Sequence, residues 1–304
     1  MTLMNSRRSI FILFVLTLFA SCNTEPVESF SSDISFIRPG DVVVTSYSSD
    51  SALLLDENGN FKSVLYNVQN NIEQVVGVNW DATRNEVVLS INGAPDRLMA
   101  ISAYDGSIRE AVVNNQLNGN TFGVATDSDG NYYATESNNI EKFTKTGSRI
   151  TDSTFPILNI QTTPSQLNPR SIGGFVLCST GTDAVRTYNA AFTQLATRSS
   201  GIGGTTNAYG CAELADGNIA VSWDGTTDSV QILNSTLTTV LYTFDDPSYL
   251  SGPRGIGAKA NGNFLVADAT FDWIIELNSS GEFERVFSSA FLNDPWQIIE
   301  IPSF

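Results

Sequence analysis

One stretch, Pro253 to Phe283, fixes most of what this chain can become, because it reads as one complete unit of a repeat. A short apolar run ends in the turn AlaAsnGlyAsn, and a second run, Phe264 to Ala267, follows. A polar loop holding Asp268 and Asp272 leads to a third run, Ile274 to Leu277, and a turn at Gly281 opens a fourth. Short apolar runs broken by Asn-Gly or Asp-Gly are hairpin signals, since Gly and Asn accept the positive φ of tight turns. Four such strands in about 40 residues form one blade of a β-propeller.

The same grammar recurs along the chain. Phe122-Gly123-Val124 leads into AspSerAspGlyAsn (127–131) and then Tyr132 to Thr135. Tyr209-Gly210-Cys211 leads into AlaAspGlyAsn and then Ile219 to Trp223, and Val76-Gly77-Val78 leads to Val87 to Ile91. Pro169-Arg170-Ser171-Ile172 is expected to open a degenerate copy, with Gly173-Gly174 in place of a full Asx-Gly-Asn turn. Equivalent positions lie roughly 40–48 residues apart, a propeller spacing.

The two ends complement each other. Asp41 to Phe61 supplies a second run, a loop at Asp50, a third run and a turn at Gly59, but no first strand. Pro295-Trp296-Gln297-Ile298-Ile299-Glu300-Ile301 aligns with the start of the Pro253 unit and then stops. Joining them closes a ring without open sheet edges. The expected fold is all-β: a six-bladed propeller of four-stranded antiparallel blades, closed by the C-terminal strand in the N-terminal blade. On these repeats the chain resembles the NHL-repeat propellers, which have lactonase-like and lipoprotein-receptor-type branches. Repeats of turns and core residues specify fold rather than chemistry.

Upstream, Arg7 and Arg8 precede the apolar run Ile10 to Ala20. This describes a secretory signal over 1–21, too short to span a membrane as a helix. Phe19-Ala20-Ser21-Cys22 resembles a bacterial lipobox, with Phe19 where that pattern usually has Leu, so Cys22 is the expected lipidation site. An ordinary cleavage site with an incidental cysteine is the alternative. Asn23 after the cysteine implies outer-membrane sorting by the usual Gram-negative rule. Residues 22–36 read as lipidated cysteine and flexible tether, and 37–304 as the propeller.

The formal net charge of −16 argues against nucleic acid as partner, since phosphate binding needs Lys/Arg stripes that this chain lacks. Cys178 and Cys211 either pair in an oxidising compartment or pack as buried thiols. The chain has no histidine, which excludes Ser-His-Asp hydrolysis, Cys-His nucleophiles and His-ligated metals. Carboxylate or hard-metal chemistry remains open.

One position recurs in every blade: Asp50, Asp96, Asn138, Asp183, Asp228 and Asp272. It makes either an electronegative rim or a set of Asx-turns that start the third strands. AspSerAspGlyAsn (127–131) matches part of a calcium loop, but its equivalents in other units mark it as the hairpin turn. Residues that break the repeat are better candidates. Trp223, Asp224, Asp268, Phe271 (with Trp273), Arg170, Arg254 and Trp296 are expected around one mouth of the central channel. Aromatic rings with a few arginines suit a protein, peptide or glycan partner. The expected protein is thus a monomeric, non-catalytic binding or scaffolding module, without cofactor and touching the membrane only through its anchor. The alternative is a metal-dependent hydrolase of the lactonase-like branch, with a divalent cation on Asp, Glu and Asn. Its closest candidate ligands are Glu213, Asp224 and Asp268.

Overall fold

The computed structural model describes residues 37–68, 73–112, 116–117, 119–160, 163–201 and 204–304. The signal segment, Cys22 and the tether to residue 36 lie outside the described residues.

Twenty-four strands form six four-stranded antiparallel sheets among the described residues. The first blade holds β1 (Val42–Ser46), β2 (Ser51–Leu55) and β3 (Phe61–Asn67). The second is β4 (Gln74–Asp81), β5 (Glu86–Asn92), β6 (Arg97–Ser102) and β7 (Ile108–Val112). The third is β8 (Thr121–Thr126), β9 (Tyr132–Glu136), β10 (Asn139–Phe143) and β11 (Arg149–Ile150). The fourth is β12 (Pro164–Pro169), β13 (Phe175–Ser179), β14 (Ala184–Tyr188) and β15 (Gln194–Arg198). The fifth is β16 (Ala208–Glu213), β17 (Ile219–Trp223), β18 (Ser229–Leu233) and β19 (Val240–Phe244). The sixth is β20 (Pro253–Ala258), β21 (Phe264–Asp268), β22 (Trp273–Leu277) and β23 (Phe283–Ser288). The last strand, β24 (Pro295–Glu300), enters the first blade beside β1, pairing Val42 with Glu300 and Val44 with Ile298. The ring closes as the complementary ends require.

Strand alternation sends successive side chains to opposite faces of a blade. Each blade therefore feeds two interfaces, and six apolar clusters fill the six gaps between blades. In β21, for example, Phe264 and Val266 pack toward the fifth blade, while Leu265 and Ala267 pack toward the first.

The inner strands β4, β8, β12, β16, β20 and β24 pack side by side around the axis. They place Gly77, Gly123, Gln166, Gly210, Gly255 and Gln297 at one level. The glycines permit the close approach: a Cβ on Gly210 would lie 2.3 Å from the Arg254 carbonyl oxygen and 2.7 Å from the Ile256 nitrogen. The two glutamines occupy the space this leaves. Gln166 Nε2 donates to the Ile256 carbonyl at 2.9 Å, and its Oε1 accepts from the amides of Ile256 (3.0 Å) and Cys211 (3.1 Å). Gln297 Nε2 donates to the Ser165 carbonyl at 2.7 Å. Two side chains thus bridge strands that are not neighbours, and their amides satisfy backbone groups outside the sheet ladders.

The fourth blade corrects the sequence reading. Its inner strand is Pro164–Pro169, and Arg170 to Gly174 form the turn after it, closed by the Arg170 amide donating to the Gly174 carbonyl at 3.0 Å. Arg170 therefore follows an inner strand, whereas Arg254 lies near the start of one.

Candidate functional site

Antiparallel connectivity sorts the loops. Links between blades and links between second and third strands lie on one face, here the loop face. The tight hairpin turns lie on the other, the turn face.

Each inner strand is bulged near its loop-face end. A bulge adds an unpaired residue and re-aims a side chain. The residue preceding the axial Gly or Gln on each strand belongs to this irregular stretch: Val76, Phe122, Ser165, Tyr209, Arg254 and Trp296. Hydroxyls of second strands hold the bulges by reaching into the next blade. Thr45 Oγ1 donates to the Val76 carbonyl and Ser90 Oγ to the Phe122 carbonyl, both at 2.7 Å. Ser222 Oγ donates to the Arg254 carbonyl.

The outcome is a half-exposed aromatic–arginine array. The Arg254 guanidinium carbon lies 3.9 Å from the Tyr209 ring centre and 5.3 Å from that of Trp296. Trp296 stacks on Tyr47 at 4.8 Å and meets Tyr209 edge-on at 5.6 Å. Arg254 Nη1 pairs with Asp224. Three of the expected residues, Asp224, Arg254 and Trp296, are therefore brought together. Tyr47 and Tyr209 were missed in the sequence; Tyr209 stands one residue before a repeat glycine, as Arg254 does.

The other expected residues go elsewhere. Trp223 is wholly buried between the fourth and fifth blades, so it offers nothing to a partner. Phe271 is 38% exposed but packs at a tilt against Trp273 at 4.6 Å, and Trp273 meets Tyr249, in a separate aromatic group. Asp268 is fully buried and accepts from the amides of Ser251 (2.7 Å), Phe271 (2.9 Å) and Thr270 (3.1 Å). Burial pushes its pKa up, against those three donors and Arg254. Its role is to shape a loop. Arg170 is on the turn face, buried in an ion pair with Glu213 at 2.9 Å, and Ser171 Oγ also donates to Glu213. Glu213 is therefore separated from Asp224 and Asp268 by the thickness of the ring, and the three cannot share one metal ion.

The rim position is largely structural. Asp183 Oδ1 accepts from the Asn207 amide at 2.8 Å and Asp272 Oδ1 from the Asp294 amide at 2.6 Å, each tying a loop to the next blade. Asp96 and Asp228 accept from Gly93 and Gly225 within their own loops. Asp50, Asp183 and Asp272 have φ near +50 to +56°, the left-handed region that Asp tolerates. The 127–131 segment is a hairpin turn, its Asp127 carboxylate accepting from the amides of Asp129 and Asn131. Cys178 and Cys211 are free and buried, and burial together with the neighbouring Cys211 raises the Cys178 thiol.

The open space on the axis lies at the end opposite to the expected mouth. A depression of about 360 Å³ opens on the turn face, lined among others by Asn79, Trp80, Asn168, Glu213, Ile256 and Glu300. Asn79 Nδ2 donates to Asn168 Oδ1 at 3.1 Å.

No family model and no curated protein matches the chain. Solved structures do resemble it. A nidogen/laminin complex structure aligns over 85% of this chain and 97% of the other, with TM-score 0.69 and 14% identity. A Bacteroides caccae protein of unknown function aligns over 86% and 98%, with TM-score 0.61 and 14% identity. Virginiamycin B lyase from Staphylococcus aureus aligns over 83% and 81%, with TM-score 0.59 and 15% identity. At such identities the likeness is one of fold: this chain is a six-bladed β-propeller.

Proposed function

We propose that this chain is a lipid-anchored propeller of the bacterial envelope, held at the outer membrane through Cys22, that binds a protein, peptide or glycan non-catalytically on its loop face. The observation that carries the reading is the half-exposed array of Tyr47, Tyr209, Arg254 and Trp296, drawn from three inner strands and the β1–β2 loop. Large rings with one guanidinium give much contact area at low entropic cost, the composition that dominates binding hot spots. Among the structural neighbours, nidogen appears in complex with laminin, which accords with a partner-binding use of the fold. Virginiamycin B lyase is also a neighbour, one of its structures being a catalytically inactive variant whose histidine is replaced by alanine. This chain contains no histidine and so cannot run chemistry that needs one. A hydrolase centred on Glu213, Asp224 and Asp268 fails on placement, as shown above.

The test is photo-crosslinking in intact cells from a probe at Ser48 beside Tyr47, comparing the wild type with Trp296→Ala. A discrete adduct that disappears with the substitution is expected. Equal labelling in both, or none, would overturn the reading. Radiolabelled palmitate incorporation that persists in Cys22→Ala would overturn the anchor.

A further inference from the structure

The two faces of the ring differ in how their charges are balanced. On the turn face, many carboxylates lie against cations: Arg84 with Asp81 at 2.7 Å, Arg170 with Glu213 at 2.9 Å, Arg285 with Glu276 at 2.8 Å. Lys62 holds Asp41 and Lys259 lies between Glu276 and Glu300. The loop-face segments instead carry Asp50, Asp96, Asp183, Asp228, Asp272 and Asp294 against Arg97, Arg198 and Arg254. Two of these three arginines are already committed, Arg97 to Glu73 through two contacts of 2.6 Å and Arg254 to Asp224. Arg198 turns back to the Ser200 carbonyl.

The imbalance registers in the carboxylates. Burial raises Asp50, Asp96, Asp228 and Asp294 above the usual carboxylate range, and Asp224 adds to the rise at Asp228. On the turn face Asp56 and Glu276 shift downward, because the hydrogen bonds and cations around them outweigh burial, while burial raises Glu300 against Lys259. A carboxylate that burial raises gains from an incoming positive charge.

The centre of this face has the complementary surface. Arg254 sits over the Tyr209 ring with its charge met by Asp224, so the chain itself holds a guanidinium there between aromatic ring and carboxylate. We infer that the loop face docks a lysine- and arginine-rich segment of a partner protein, laid across Tyr47, Tyr209 and Trp296 with its cationic side chains on the surrounding aspartates. This rests on the loop-face binding proposed above and names the chemistry of the occupant.

The test uses the full-length protein and a fluorescein-labelled ten-residue peptide of alternating Lys, Arg and Gly, read by fluorescence anisotropy. A polyglutamate peptide, a neutral oligosaccharide and Ca²⁺ serve as competitors. Saturable binding of the cationic peptide is expected, weakening at least tenfold between 50 and 300 mM salt as screening predicts. Asp228→Asn/Asp294→Asn should weaken it at least fivefold. The turn-face pair Asp129→Asn/Glu282→Gln removes the same charge and should change it less than twofold. Unchanged thermal midpoints show that each variant is folded; should the loop-face pair fail that check, Trp296→Leu replaces it, with the same loss expected. Equal weakening by both pairs means diffuse attraction to an acidic protein, and overturns the inference. So does displacement by Ca²⁺ or the oligosaccharide at a lower concentration than by unlabelled cationic peptide. If the Trp296-dependent crosslink is found in cells but the cationic peptide does not bind, the occupant is wrong and the binding face stands. If neither is found, both readings fall.

Discussion

Replacing Gln166 by alanine should destabilise the ring far more than its position on a channel-lining strand would suggest. The side chain is 1% exposed and makes three hydrogen bonds, to the carbonyl and amide of Ile256 and the amide of Cys211. Those backbone groups face the axis, so truncation strips their partner without offering another. Each unpaired buried group costs about 1–3 kcal/mol. Water entering the vacated space would recover part of that, which leaves roughly 3–6 kcal/mol. Against a typical stability of about 5–15 kcal/mol this is a large share. Urea unfolding followed by tryptophan fluorescence reads it as a lowered midpoint at constant slope. A loss below about 1 kcal/mol would show that water replaces the amide at no cost, and that the axis is a hydrated channel rather than a closed core. Gln166→Glu keeps the shape but sets a carboxylate oxygen where Nε2 donates, so its loss should grow as pH rises above the carboxylate range.

Three further perturbations probe other parts of the fold. Glu136, raised to about 7 by burial first and by Glu141 and Asp96, holds its proton more tightly folded than unfolded. The stability this gives is present below about pH 4.3 and lost as pH rises through about 7, so Glu136→Gln should gain on the order of 1–3 kcal/mol over wild type at pH 8 and nothing at pH 4; a pH-independent difference refutes the shift. Gly210→Ala drives a Cβ to 2.3 Å from the Arg254 carbonyl oxygen and should cost more than about 3 kcal/mol. Gly217→Ala, with φ +83° and nothing within 4 Å, should cost about 1–2 kcal/mol of backbone strain, and similar losses in thermal melts would refute the close-approach argument. Arg170→Met should cost about 3–5 kcal/mol by stranding Glu213, and Arg170→Met/Glu213→Leu should recover most of it; no recovery means that the pair contributes more than its charges.

How much of this was legible in the sequence depended on whether a position obeyed the repeat. Asx-Gly turns mark the ends of inner strands at Gly130, Gly217 and Gly262, all at positive φ, and there the blades were read correctly. In the fourth blade the Asx was missing. Gly173-Gly174 stands in for the turn, but with Pro169 as the expected start the inner strand falls after Pro164–Pro169 rather than on it, and Arg170 goes to the wrong face. Antiparallel geometry makes such an error consequential, because opposite ends of one short strand belong to opposite faces of the ring.

The candidate site was read only in part, for a related reason. Treating repeat-breaking residues as functional located Arg254 and Trp296, but the same rule selected Trp223. That side chain fills the gap between the fourth and fifth blades, a packing role which leaves its indole wholly buried. What separates the two tryptophans is the bulge: β24 turns Trp296 out beside the axis, while Trp223 ends a regular second strand paired to Ser229. A bulge has no compositional signature of its own, yet its neighbour did. At the axial level four inner strands carry Gly and two carry Gln, and that substitution of the largest neutral amide for the smallest residue is a departure a sequence can display. It says that the ring is filled at its centre, so a ligand must meet a face and not a through-channel. The proposed use of the loop face rests on the array of Tyr47, Tyr209, Arg254 and Trp296 that the bulges turn outward there, with more aspartates than arginines around it.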